Sequence, residues 1–198
     1  MEDVLLLSKK YLVLKGELEI INNIREGDEK SFQLLYHDYS PKVYNTALSY
    51  TKSKEAAEEV CQDVFMKIYK NARQFKGESS LSTWIYRITV NTALNHLKKN
   101  KRFSFFRTEL KEKDKIDFEH PGVRLENKDL SKFLFKAMDT LPEKQKTAFI
   151  LSFIEELPRQ EVADIMDLSL KAVESLLQRA KKNMRPVLEK IYPNRRKN

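Results

Sequence analysis

An all-α fold of two small helical domains joined by a linker is what this sequence predicts, and three observations predict it. Gly 4 and Pro 6 are low counts for 198 residues, which disfavours a many-turned β architecture. Apolar residues recur at spacings of three and four over long stretches, and no stretch alternates with a period of two. The 41% apolar share is enough for packed cores, so wholesale disorder is excluded. A single cysteine excludes an intrachain disulfide framework and any cysteine-based zinc cage, and it fits a reducing cytoplasm. The apolar run Val4–Leu14 is broken by Lys9 and Lys10 and follows Glu2 and Asp3, so neither a signal peptide nor membrane insertion is expected.

The charge divides the chain. The net charge is +8, but it is −2 over residues 1–30, +6 over 31–102, −1 over 103–130 and +5 over 131–198. Two basic blocks therefore flank a near-neutral stretch. That stretch mixes charges (Lys111, Glu112, Lys113, Asp114, Lys115), has no sustained period and holds Pro121-Gly122, so it reads as a linker. The expected organisation is an N-terminal extension over 1–26, a first domain over 27–102, a linker over 103–130, a second domain over 131–192 and a basic tail over 193–198.

Each helix has its own justification. Phe32–Thr51 carries Leu35, Tyr39, Val43, Ala47 and Tyr50 on one face. Lys54–Phe75 repeats this with Ala57, Val60, Val64, Ile68 and Ala72, and Lys76-Gly77-Glu78-Ser79-Ser80 interrupts the pattern. Leu81–Lys101 resumes it with Leu81, Ile85, Ile88 and Thr92, and Ser80 or Ser82 suits its N-cap. In the second block the pattern predicts helices over Leu130–Thr140, Glu143–Ile154, Arg159–Met166 and Leu170–Lys190. Pro142 and Pro158 fall near helix starts, where a missing N–H costs least.

The strongest motif is a helix-turn-helix from Arg159 to Met184. Ala163 is small enough for close helix approach, Asp167 stands where the turn needs a left-handed backbone, and Val173 packs the second helix on the first. From Asp167 onward there are 9 basic and 3 acidic residues. Lys171, Glu174, Ser175, Gln178, Arg179, Lys181 and Lys182 are the candidate contacts to a major groove. A helical hairpin with a solvated charged face meets the same pattern.

The first block carries two further faces. Arg87, Asn91, Asn95, Lys98 and Arg102 form one stripe on the Leu81–Lys101 helix, the amides suited to bases and the cations to phosphates. Phe75, Trp84 and Tyr86 stand near it; stacking on an unpaired base is one reading, and for Phe75 and Trp84 taken singly core packing is the better one. On the preceding helix Glu58, Glu59, Gln62 and Asp63 make an acidic surface inside a basic domain. The helix dipole accounts for acids near the first turn, but DNA would be repelled by such a face, which suits solvent or a protein. His37, His96 and His120 are scattered, Cys61 sits among apolar residues and no glycine-rich phosphate loop is present, so catalysis and a cofactor are not expected.

With these residues placed, the chain resembles a bacterial RNA polymerase sigma factor of the small extracytoplasmic-function type. Ala57-Glu58-Glu59-Val60-Cys61-Gln62-Asp63-Val64-Phe65 resembles the region that docks on the clamp helices of the polymerase's largest subunit. Phe75 to Ile88, with Val90-Asn91, resembles the segment that melts and reads the minus-ten element, where Lys76, Gly77, Glu78, Ser79 and Ser80 form the loop that captures a flipped-out base. Leu141-Pro142-Glu143-Lys144 with the helix-turn-helix resembles the domain that reads the minus-thirty-five element. The resemblance implies promoter recognition with core RNA polymerase and promoter DNA as partners, and an anti-sigma factor as a further class of partner. The alternative from the residues alone is a stand-alone helix-turn-helix regulator.

Overall fold

The computed structural model describes residues 15–106 and 128–191, with side chains over 15–100 and 131–190. Helices are α1 (residues 15–25), α2 (Glu29–Thr51), α3 (Lys54–Asn71), α4 (Leu81–Phe106), α5 (Lys128–Met138), α6 (Glu143–Phe149), α7 (Arg159–Met166) and α8 (Leu170–Ile191). No strand occurs among the described residues. Helices α1–α4 make the first unit and α5–α8 the second.

Local chemistry sets the helix ends. Asp28 caps α2 by accepting from the Ser31 N–H, and Ser53 caps α3 by accepting from the Ala56 N–H. Of the two serines expected to cap α4, it is Ser80 that accepts from the Thr83 N–H, at 3.1 Å. Pro142 and Pro158 occupy the N-cap positions of α6 and α7. The first core is built by the faces the sequence pattern selects: Val60, Val64 and Ile68 of α3 are fully buried against Val43, Ala47 and Leu48 of α2 and Leu81 and Ile85 of α4. Each such side chain contributes about 1.5–3 kcal/mol relative to exposure.

The structure differs from the sequence pattern in four places. The segment read as an N-terminal extension is helical over residues 15–25 and buries Ile21 and Ile24 in the first core. The helix expected to reach Phe75 ends at Asn71 and tightens into a 3₁₀ turn, Ala72–Gln74. The helix expected over Glu143–Ile154 gives way after Phe149 to a π turn, Ile150–Ile154, whose wider spiral lets the Glu155 N–H reach the Ile150 carbonyl. Helix α4 continues to Phe106 and α5 starts at Lys128, so only 107–127 of the expected linker fall outside the described residues.

The second unit is organised around the turn between α7 and α8. Asp167 holds φ 54 and ψ 51, the left-handed conformation expected there, and its N–H returns to the carbonyls of Ala163 and Asp164. Ala163, Val162 and Val173 are fully buried around it. Valine at position 167 would bring a β-branched side chain into that conformation, and Asp167→Val is expected to lower unfolding stability by about 1–2 kcal/mol, read as a shift of the denaturant midpoint without a change in slope.

The two units pack directly on one another. The Tyr50 hydroxyl on α2 donates to Thr147 Oγ1 on α6 at 3.1 Å, in a buried setting. Lys52, at the left-handed end of α2, pairs with Asp139, which Lys146 of α6 also pairs at 3.0 Å. Helix α7 lies across α4: Ser82 Oγ donates to Glu161 Oε1 at 3.1 Å.

Candidate nucleic-acid interface

The stripe predicted on α4 exists, and its parts have different fates. Its helix face is fixed by the buried Leu81, Ile85, Tyr86, Val90 and Ala93 behind it. Asn91 and Asn95 are exposed, and so is Lys98. Arg87 is half-buried because its guanidinium donates to the main-chain carbonyl of Asp164, from Nε at 2.9 Å and also from Nη2. Lys98 Nζ lies 3.3 Å from Glu143 of α6. Arg87 and Lys98 are thus held by the second unit, with the two amides open between them. Arg102 lies outside the residues whose side chains are described. Phe75 is buried and its ring centroid stands 5.3 Å from that of half-buried Trp84, so the core reading of this pair holds.

The Lys76–Ser80 loop joins the 3₁₀ turn to α4. Lys76, Glu78 and Ser80 are exposed, and Gly77 and Ser79 are half-buried. Gly77 has φ +73, a value that disfavours any side chain. Leu18 Cδ2 would lie only 3.1 Å from a Cβ at Gly77, so this backbone is in close contact with α1.

On α3, Glu58, Glu59, Gln62 and Asp63 are all exposed, and no ion pair among the described residues neutralises the three acids. The same face continues with two residues the sequence reading passed over. Met66 is 53% and Tyr69 55% exposed, one and two turns beyond Gln62. Tyr69 packs edge-on against Phe32 and is close to the Tyr36–Phe65 pair, which makes an aromatic shelf between α2 and α3. The signal was available in the register 59, 62, 66, 69, which places acids and large apolar groups in one row. Cys61 lies behind this face; burial pushes its thiol up to about 11, which agrees with a core role and leaves no nucleophile at neutral pH.

Helix α8 presents what the helix-turn-helix reading requires. Val173, Leu177, Ala180 and Met184 are buried on one face, and Lys171, Gln178, Arg179, Lys181 and Lys182 are exposed on the other. Glu174 and Ser175 are half-buried; Glu174 lies 3.6 Å from Arg159 and so ties α8 to α7. Lys181 sits 4.8 Å from the centre of the Phe153 ring, a cation–π contact that orients its ammonium. Ser169 accepts from the Ala172 N–H at the start of the helix.

Among the described residues no group of His, Cys, Asp and Glu is placed to hold a metal ion, and no helix is long and apolar enough to cross a membrane.

Comparison with known proteins agrees with this layout. A family model described as Sigma-70 region 2 matches residues 35–103, and one described as Sigma-70, region 4 matches residues 134–184. The ECF RNA polymerase sigma-E factor of Haemophilus influenzae is 32% identical over 170 residues, which span 82% of this chain and 89% of that one. The sigma-E factor of Escherichia coli K12 is also 32% identical, over 82% of this chain and 88% of its own length. The solved sigma factor RpoE of Bartonella quintana, in complex with the anti-sigma factor NepR, has the same fold, with TM-score 0.64 and 22% identity over 81% of this chain and 98% of that one. The two matched regions fall on the two helical units, in the order the motifs gave, and the chain belongs to the sigma-70 family as an ECF-type RNA polymerase sigma factor.

Proposed function

We propose a division of labour among three helices for a factor that directs RNA polymerase to promoters. Glu58, Glu59, Gln62 and Asp63, extended by Met66 and Tyr69, bind the clamp helices of the polymerase's largest subunit. Arg87, Asn91, Asn95, Lys98 and Arg102, with the Lys76–Ser80 loop, hold the opened strand of the minus-ten element. Lys171, Glu174, Ser175, Gln178, Arg179, Lys181 and Lys182 read the minus-thirty-five element in the major groove. The factor acts in the cytoplasm and without catalysis: strand opening is driven by trapping bases outside the stack, which offsets an unstacking cost of a few kcal/mol. An anti-sigma factor, of the kind seated on the Bartonella quintana relative, is proposed as a further partner.

The observation that carries this reading is the row Arg87, Asn91, Asn95 and Lys98: α4 fills its core with the opposite face and keeps this one polar. Arg87 and Lys98 are held by Asp164 and Glu143, so the packed arrangement and strand holding compete for the same side chains. The two units therefore part when the promoter is engaged. A stand-alone regulator would leave the exposed acid and aromatic face of α3 without a use.

Transcription in vitro with core polymerase, with start sites mapped across the genome, tests the assignment; failure to direct any specific initiation overturns it. Asn91→Ala is expected to reduce open-complex formation roughly tenfold, the order of one paired amide, while polymerase capture stays at the wild-type level. Permanganate reactivity of thymines in the opened region reads the first quantity and a pull-down the second.

A further inference from the structure

Helix α1 lies outside both matched family regions, the first of which begins at residue 35 and the second at 134, yet it holds the residues on either side of the Lys76–Ser80 loop and touches its middle. The loop does little to hold itself. Its own polar contacts among the described residues are Ser79 Oγ to the Ser80 carbonyl at 3.4 Å and, at its exit, the Ser80–Thr83 pair and the Trp84 N–H to the Ser80 carbonyl, which belong to the start of α4. Four points along and around it are instead pinned by α1. Arg25 Nε donates to the Ala72 carbonyl at 2.9 Å and Arg25 Nη2 to the Phe75 carbonyl at 2.5 Å. Arg25 Nη1 donates to Asn22 Oδ1 at 2.7 Å, which fixes the guanidinium on its own helix. Leu18 presses on the backbone of Gly77 at the loop's middle. Glu17 Oε2 accepts the Leu81 N–H at 3.0 Å, at the first residue of α4.

These contacts have a common logic. The Phe75 carbonyl stands beyond the end of α3, and the Ala72 carbonyl accepts the Phe75 N–H at a long 3.3 Å in the 3₁₀ turn, so both keep a free lone pair that a planar guanidinium can take at once. The Leu81 N–H is one of the donors left over at a helix start, and a carboxylate there also meets the positive end of the α4 dipole. The hydrogen bonds involving Arg25 and Glu17 are charge-assisted, the stronger class. Arg25 therefore sets the entry of the loop, Leu18 its mid-point and Glu17 its exit.

We infer that α1 is the brace of the base-capturing loop, and that Glu17 and Arg25 are positioning residues for recognition of the minus-ten element. This rests on the assignment of the Lys76–Ser80 loop to base capture proposed above. A loop that must hold one extruded base is effective only if its backbone is already in the bound shape, because ordering it at the moment of capture subtracts from the affinity. The brace supplies that shape from outside the loop, which leaves the side chains of Lys76 and Glu78 exposed to the strand.

The test uses holoenzyme assembled from full-length factor and core polymerase, on a promoter library randomised at both the minus-ten and minus-thirty-five elements, with transcript yield read for each base. Glu17→Ala and Arg25→Lys are expected to flatten base preference at one minus-ten position roughly tenfold, the order of one charge-assisted hydrogen bond, and to leave minus-thirty-five preferences and polymerase pull-down unchanged. Lysine at position 25 keeps the charge and the stem but cannot span two carbonyls. Glu17→Gln, whose amide oxygen can still accept the Leu81 N–H, is expected to retain most of the preference. Unchanged minus-ten preference in Glu17→Ala and Arg25→Lys overturns the brace. Equal loss at both elements overturns it too, since the contacts would then be supporting the fold at large. If wild-type holoenzyme shows no base preference at the minus-ten element, base capture by the loop is itself wrong, an outcome distinct from the other two.

Discussion

Reversing the charge at Glu59 and Asp63 together is expected to weaken core-polymerase binding by a hundredfold or more while the protein stays folded. Both side chains are exposed on α3 and neutralised by no ion pair among the described residues, so their replacement by lysine removes no internal contact. Surface changes of this kind usually alter stability by less than about 0.5 kcal/mol. At a docked interface, by contrast, placing like charges opposite one another costs several kcal/mol, and each 1.4 kcal/mol is a factor of ten. The loss should shrink as salt rises, because exposed charges are screened over about 8–10 Å near physiological ionic strength. Truncating Met66 and Tyr69 to alanine should also weaken binding, but with little salt dependence, because that part of the face contributes apolar area. Affinity measured by titration of labelled factor into core polymerase at two salt concentrations separates the two contributions. Wild-type affinity for the lysine double variant would remove α3 from the polymerase interface.

How much of this was legible in the residues differs by element and has physical reasons. The faces of α2, α3 and α4 were readable because a helix that buries one stripe must repeat apolar residues every three or four positions, and Val60, Val64 and Ile68 do so. The turn at Asp167 was readable because few residue types tolerate a left-handed backbone, and the conformation found there is the one expected. The exposed face of α8 followed from the same register. The π turn after Phe149 was not readable: a helix pattern and its wider variant bury the same residues, Ile150, Leu151 and Ile154. Nor was α1. It fully buries Ile21 and Ile24 and packs Leu18 and Ile20 part-way against the core, a short run beside an apolar stretch with no sustained period, and its polar work is aimed at main-chain atoms far away in sequence, which carry no side-chain signature. The docking of α7 on α4 was hidden for the same reason, since Arg87 spends its guanidinium on a carbonyl. Arg87 reads as a phosphate ligand in the sequence and is a bridge between units in the fold.

A second contact between the units, Glu155 with Tyr86, carries the other large expected effect, on pH. Glu155, at the end of the π turn, is enclosed where the second unit meets α2 and α4. Burial raises its carboxyl from an ordinary 4.5 to about 7, although the hydroxyls of Thr46 and Tyr86 and the charge of Lys42 all favour the ionised form. Tyr86 Oη lies 3.4 Å from Glu155 Oε2, and Tyr86 in turn feels Glu161 of α7, while burial and Glu155 push its own hydroxyl further up. Tyr50, the remaining ionisable group from α2 near Glu155, is also held neutral by burial. In the open arrangement proposed above Glu155 is in water and in its ordinary range. A carboxyl whose packed-state value lies above its open-state value favours packing fully below pH 4.5, and that contribution is lost as pH rises through about 7. At 1.36 kcal/mol per pH unit the Glu155 contribution to packing should fall by about 3 kcal/mol across this window, which shifts the equilibrium toward the open form as pH rises to neutral. Solution scattering on the free factor should show a larger radius of gyration at pH 8 than at pH 5.5. In Glu155→Gln the amide stays uncharged throughout, so the radius should remain at its smaller value across the range, and open-complex yield at pH 8 should fall below wild type. A wild-type radius that does not change with pH, or a variant that expands in the same way, would detach Glu155 from the opening of the two units.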